Sequence, residues 1–315
     1  MQMRRPMRLF SGEGDSEMER GYYKNIRTVL GEPTADVRYG LRTALVNAGF
    51  EQIADTGNVS MLKSSIVSES ADLLVCDCNF SDGDFATLIR QVRHGEIGKN
   101  PFIGIITLIP AADEQLIRKA ISSGTDDILV TPISPARLMD RIAHLMRERK
   151  PFVVTCDYIG PDRRIKHRPG TQEIPQIEVP NPLKAMATDK PDRGKLAAEV
   201  AATVELLNDQ KVERYAFQTV YLVRKIVKVT SADPTGDGVR ADLERLAWVS
   251  RDLLRRVKDS QHTQWTKRCG ALAAVMKRVG ASDMTPSAKD LFELRGLADA
   301  FANDIPDALP VALLA

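Results

Sequence analysis

The spacing of apolar residues changes character once along this chain, and that change constrains the fold more than any other feature. Across residues 25–148, short apolar runs at 26–31, 73–78, 102–108 and 127–130 alternate with stretches of helical spacing. A weaker run at 52–55 makes five. One helical face carries Val37, Leu41, Ala44, Leu45 and Ala48, a second Phe85, Leu88, Ile89 and Val92. A third carries Leu116, Ile117, Ala120 and Ile121, a fourth Leu138, Ile142 and Leu145. Strand-then-helix alternation predicts a parallel sheet covered on both faces, since parallel strands need a crossover between them. Gly49, Gly95 and Gly124 fall where helices should end in a left-handed residue.

Beyond residue 193 the strand signal is gone. Stripes at Val212, Tyr215, Ala216, Val220, Val223 and Ile226, at Leu243, Leu246, Leu253, Leu254 and Val257, and at Leu272, Val275, Met276 and Val279 keep a helical period. Leu291, Phe292, Leu294, Ala298 and Phe301 make another, and an earlier helix is expected over 195–208. About five amphipathic helices of this kind should bury one another as an all-α bundle. The expected division is a flexible leader over 1–24, the α/β domain over 25–148, a proline-rich extended linker over 149–192, the helical bundle over 193–303 and a tail over 304–315. Seven prolines between Pro151 and Pro191 carry the linker assignment.

A net charge of +2 excludes a strong polyelectrolyte role for the whole chain. No apolar run reaches the roughly 18 residues of a membrane span, and the arginine-bearing N-terminus lacks the apolar stretch of a signal peptide. A cytoplasmic location is expected, with Cys76, Cys78, Cys156 and Cys269 as reduced thiols.

In an open parallel sheet the working crevice lies beyond the carboxyl ends of the strands. The residues expected there are Glu32, Asp77, Thr107 and the pair Thr131-Pro132. Their order and spacing carry a resemblance. The segment Leu73-Leu-Val-Cys-Asp-Cys-Asn-Phe-Ser-Asp-Gly-Asp84 resembles the phosphoacceptor strand and loop of CheY-like receiver domains of bacterial two-component response regulators. Gly124-Thr-Asp-Asp-Ile-Leu-Val-Thr-Pro132 resembles the strand that precedes the family's Lys-Pro, and Ala35-Asp-Val-Arg-Tyr-Gly-Leu-Arg-Thr-Ala-Leu45 its first helix. The resemblance implies a flavodoxin-like, doubly wound sheet of five parallel strands. It puts Asp77 in the phosphoacceptor position, Thr107 in the switch-hydroxyl position and the Asn79 carbonyl among the ligands of a Mg²⁺ ion, with Glu32 and Asp77 as the carboxylates. Thr131 offers a second hydroxyl at a strand end.

The sequence departs from the family pattern where the pattern carries charge. The acidic pair falls on Glu32 and Pro33, the lysine on Thr131, the switch aromatic on Ile128 and the proline after the acceptor on Ser81. Phosphoryl transfer to a carboxylate leans on such charges to stabilise the developing negative charge. The expectation is therefore a degenerate, or pseudo-, receiver with weak Mg²⁺ binding at most. It would work by protein–protein contact in phosphorelay signalling, with a sensor kinase or a downstream regulator as partner, and would not be an enzyme. Two alternatives stand beside it: a regulator phosphorylated on Asp77, with Asp82 assisting Glu32 around the metal, and a nucleic-acid-binding regulator. The second draws on 15 Lys/Arg against 7 Asp/Glu between Lys211 and Val279, with Arg251, Arg255, Arg256 and Lys258 clustered on one helix. A homodimer is a further expected assembly.

Overall fold

A computed structural model describes residues 23–68, 70–110, 113–164, 174–232 and 237–305. The expected leader, up to residue 22, and the tail beyond residue 305 lie outside these. Two compact units emerge. The first runs to Phe152 and takes in Tyr158–Asp162 and Glu178–Ala201, whereas the second holds Val153–Asp157 and the chain from Ala202 onward, with the described part of Arg163–Ile177.

The first unit is built on strands β1 (Arg27–Gly31), β2 (Gln52–Thr56), β3 (Leu73–Asp77), β4 (Gly104–Pro110) and β5 (Asp127–Thr131). Every pairing is parallel, and the order across the sheet is β2-β1-β3-β4-β5. This is the flavodoxin-like, doubly wound arrangement. All five residues of central β3 are buried, as a strand covered on both faces must be, whereas edge strand β2 is partly exposed.

Between the strands lie helices α1 (Ala35–Asn47), α2 (Val59–Ser68), α3 (Phe85–Arg93), α4 (Glu114–Ser123) and α5 (Pro135–Arg147). Local chemistry starts and stops them. The Asp113 carboxylate accepts from the Gln115 and Leu116 amides at the head of α4, and Ser134 with Pro135 opens α5. Gly124 closes α4 in the left-handed region, where a side chain would be strained. Helix α2 has no counterpart among the helical faces read from the sequence. Its buried apolar positions are only Val59, Leu62 and Ile66, with Met61 and Val67 exposed, so tertiary burial holds it.

The stretch expected as an extended linker carries short strands, β6 (Phe152–Val154), β7 (Ile159–Pro161) and β8 (Gln176–Ile177), and helix α6 (Pro182–Met186). Phe152 is fully buried, with the Arg93 and Arg149 guanidinium groups 5.1 and 5.0 Å from its ring centre. Both arginines pair with Asp126, at 2.7 and 3.2 Å. Apolar anchors set singly among prolines have no period, so the sequence pattern could not show that this stretch packs.

The second unit is helical. Helices α7 (Arg193–Ala232), α8 (Asp237–Arg256), α9 (Thr266–Ala281) and α10 (Ala288–Asp304) account for most of its described residues. The two helices expected over 195–208 and 212–226 are one continuous 40-residue helix, α7. No breaker stands at Asp209-Gln210, so nothing divides them. The core takes Val212, Tyr215, Val220 and Ile226 from α7, Leu243 and Leu253 from α8, Leu272 and Val275 from α9 and Leu294 and Phe301 from α10. Trp265 is buried, and its indole N–H donates to Asp304 at 2.7 Å. Trp248 is partly exposed instead, edge-on to the Tyr215 ring.

Candidate functional site

The carboxyl ends of the strands enclose a cavity of about 580 Å³ within the first unit. Glu32, Pro33 and Thr34 border it after β1, and Asp77 and Asn79 at the end of β3. Leu108 borders it from β4, Thr131, Pro132, Ile133 and Pro135 from the passage between β5 and α5, and Val37, Gly40, Leu41 and Ala44 from helix α1. Of the expected site residues, Glu32, Asp77, Asn79 and Thr131 meet here.

Thr107 does not join them. The parallel register sets Thr107 beside Cys76 and Leu108 beside Asp77. Because side chains alternate across a strand, Thr107 lies on the sheet face opposite Asp77. It is fully buried there, and its hydroxyl lies 3.0 Å from that of Thr125. An aliphatic side chain, Leu108, takes the place beside the aspartate. Counting thirty residues from Asp77 gave Thr107; the register that decides its face depends on strand pairing, which the count does not contain. Cys76 and Cys78 lie with Thr107's face, packed in the apolar core against α2, α3 and α4. Burial pushes both thiols up to about 12, so neither is a ready nucleophile.

Both carboxylates of the cavity are more than nine-tenths buried. Asp77 accepts from the Asn79 amide at 2.6 Å, turning the loop after β3. Glu32 accepts from the Thr34 amide at 2.8 Å, at the entry to α1. Loss of water raises the affinity of each for its proton, and the Asp77 charge raises that of Glu32 further. Among the described residues, no Lys, Arg or His lines the cavity. Arg38 acts on Glu32 only weakly. Its guanidinium is held by the Glu32 and Pro33 carbonyls, at 2.6 and 3.3 Å, and by the Asp55 carboxylate at 3.3 Å.

The other acids of the region are engaged elsewhere. Asp82 accepts from the Val59 and Ser60 amides at the head of α2, so it does not assist Glu32. Asp84 caps α3 and pairs with Lys119 at 2.6 Å. A Mg²⁺ ion asks for several oxygen ligands in octahedral array. Pro33 stands where a further carboxylate would be needed, and the two carboxylates present each give an oxygen to a backbone amide. Among the described residues no group of three or more His, Cys, Asp and Glu side chains is placed to hold a metal ion. The oxygen groups that could hold a Mg²⁺ ion at the cavity are Glu32, Asp77 and the Asn79 carbonyl, one carboxylate fewer than the family pattern.

No family model matches the chain. Over 120 residues it is 31% identical to the transcriptional regulatory protein GltR of Pseudomonas aeruginosa, a match covering 38% of this chain and 48% of GltR. Over 116 residues it is 22% identical to the chemotaxis protein CheY of Bacillus subtilis, covering 37% of this chain and 93% of CheY. The N-terminal part of the chain is a CheY-like receiver domain. The chain thus spans about half the length of GltR, and the match stops at the receiver. Solved structures similar to it include the receiver domain of a putative LuxO repressor from Vibrio parahaemolyticus, at 19% identity and a TM-score of 0.35 over 39% of this chain and 92% of that one. CheY4 of Vibrio cholerae gives 18% identity and a TM-score of 0.34 over 38% of this chain and 98% of that one. None of these matches covers the helical unit.

The basic cluster of the helical unit is partly spent inside it. Arg256 is buried, donating to Asp252 at 2.8 Å, and Arg255 donates to the same carboxylate. Both cations count toward the excess read from the sequence, yet they neutralise an internal acid. No helix among the described residues is long and apolar enough to cross a membrane.

Proposed function

We propose that this protein is a two-component signalling regulator whose receiver domain works by contact with a partner protein, without a phosphorylated aspartate, and whose helical unit delivers the output. One observation carries the reading: among the described residues, the strand-end cavity holds two buried carboxylates and no cationic side chain. A phosphoryl group on Asp77 would bring further negative charge next to Glu32. With the lysine position taken by Thr131 and the switch-hydroxyl position beside Asp77 taken by Leu108, nothing in the wall offsets that charge. The domain retains the receiver scaffold, and with it the surfaces by which a sensor kinase or a downstream regulator can be met. The chain acts in the cytoplasm as a binding module and catalyses no reaction of its own.

Incubation with acetyl phosphate and Mg²⁺, followed by electrophoresis in a phosphate-retarding gel, tests the reading. The expected result is a single unshifted band. A retarded band that disappears in Asp77→Ala would overturn it and establish a phosphorylated regulator. Nucleic-acid binding by the helical unit makes a separate, salt-dependent expectation. Its support is the residual basic excess, which the inward pairing of Arg255 and Arg256 reduces.

A further inference from the structure

We propose that the strand-end cavity binds a small organic monocation, a protonated amine or guanidinium carried on a short apolar body. Its charge would meet the Glu32 and Asp77 carboxylates and its body would lie along helix α1. The proposal deepens the reading of the receiver as non-phosphorylating and rests on it.

Three features of the cavity select this chemistry. Its volume, about 580 Å³, lies within the range of small-molecule sites. Its walls away from the carboxylates are aliphatic: Val37, Leu41 and Ala44 on α1 face a border that includes Leu108 and Ile133. An apolar wall of this kind takes up a hydrocarbon body and excludes water. Among the described residues, the charged groups in the wall are Glu32 and Asp77, each more than nine-tenths buried.

Other ligand classes fail on the same residues. An inorganic or organic phosphate finds two carboxylates and no basic side chain, so its charge would be repelled. A divalent metal finds Pro33 where the family pattern has a further carboxylate, and its water shell would lie against an aliphatic wall. A neutral apolar molecule would complete the desolvation of both carboxylates and offer nothing in return, which is costly for buried charge. A monocation with a hydrocarbon body supplies the missing charge and occupies the aliphatic wall at once. The attraction between the ligand's charge and the pair, stronger as water leaves, then offsets the cost of desolvating them.

Gly40 gives a way to alter the cavity without disturbing its surroundings. It lines the space from α1, and a side-chain carbon added there meets nothing within 4 Å. Leucine is also a better helix former than glycine. Gly40→Leu therefore narrows the cavity while leaving the helix intact.

The test is calorimetric titration of the full chain with three probes of one shape: n-hexylamine, n-hexanol and hexanoate. Saturable binding of hexylamine is expected, at least about tenfold tighter than that of hexanol, with hexanoate not bound; tenfold corresponds to about 1.4 kcal/mol. Glu32→Gln combined with Asp77→Asn should bring hexylamine down to the affinity of hexanol, and Gly40→Leu should weaken both. Equal binding of amine and alcohol, amine binding indifferent to the double substitution, or no saturable amine binding would each overturn the proposal. Binding of a basic peptide in place of hexylamine would also overturn it, in favour of a protein-borne cation. The phosphorylation assay reads a covalent adduct on Asp77, so either conclusion can fail while the other stands.

Discussion

Two aspartates in this chain, buried Asp77 and half-buried Asp252, sit in opposite electrostatic surroundings. Asp252, on α8 of the helical unit, accepts from the Tyr215 hydroxyl at 2.7 Å and from Arg256 at 2.8 Å, and Arg255 reaches it from the next residue. These partners outweigh the cost of burial and hold its carboxyl far below the ordinary range. Asp77, in the receiver domain, has amide contacts but no cation, and burial raises its proton affinity. One acid is satisfied within the fold; the other is left for something outside it. Buried charge that the fold itself neutralises acts in stability, whereas buried charge left without a counter-ion beside a cavity is where a ligand or a reaction is to be sought.

The comparison can be broken by substitution. The largest effect is expected at Asp126, whose side chain is 2% exposed and neutralises both Arg93 and Arg149. Asp126→Ala strands two cations inside the receiver domain and should cost about 3–5 kcal/mol, the usual penalty for breaking a buried pair. Urea unfolding of the full chain, followed on the transition of the α/β unit, reads it; a loss below about 1 kcal/mol would show that the cluster is not needed for stability. Next comes Asp252→Asn. It keeps an acceptor for Tyr215 but removes the charge that answers Arg255 and Arg256, for an expected loss of roughly 1.5–3 kcal/mol in the helical unit. The same chemical change at Asp77 should have the opposite sign. Asp77→Asn keeps an oxygen for the Asn79 amide and removes an unanswered charge, a gain of about 1 kcal/mol, or roughly 2–4 °C in melting temperature for a unit of this size.

The pH dependence of that last effect follows from linkage. A carboxyl whose proton affinity is raised on folding binds more protons in the folded state than in the unfolded one. The stability of the wild-type chain therefore falls as pH rises through the raised value. The advantage of Asp77→Asn should be full above the raised value and vanish as the pH is taken below the ordinary aspartate range. Melting curves of the two proteins across that interval check it. A constant difference at all pH values would mean that Asp77 titrates normally and that the contrast with Asp252 is one of packing alone.

Much of the α/β unit was legible in the sequence because its signals are local. The five strands, four of the five helices and the glycine C-caps follow from apolar period and from residues that adopt left-handed backbone. Glu32, Asp77, Asn79 and Thr131 could be brought to one place because strand ends in a parallel sheet share an edge. What could not be read depends on neighbours distant in sequence. Thr107 and Leu108 differ by one position, and only the pairing of β4 with β3 decides which of them stands beside Asp77. The roles of Asp82 and Asp84 as helix caps, and of Arg255 and Arg256 as internal counter-ions, likewise arise from partners that no spacing rule links. A count of basic residues could not show that Arg256, unlike half-exposed Arg255, is buried against Asp252.

The lysine at position 211 extends the same logic to chemistry. Its Nζ is sealed from solvent and donates to the Thr155 and Cys156 carbonyls at 2.8 and 2.9 Å, and burial brings its pKa down to about 7. An amine that gives up its proton near neutrality is a strong nucleophile, yet here a clasp of backbone keeps reagents away. Its rate of modification by an amine-reactive label, set against those of the exposed lysines, would act as a clock for how often the segment around Cys156 lifts from the helices beneath it.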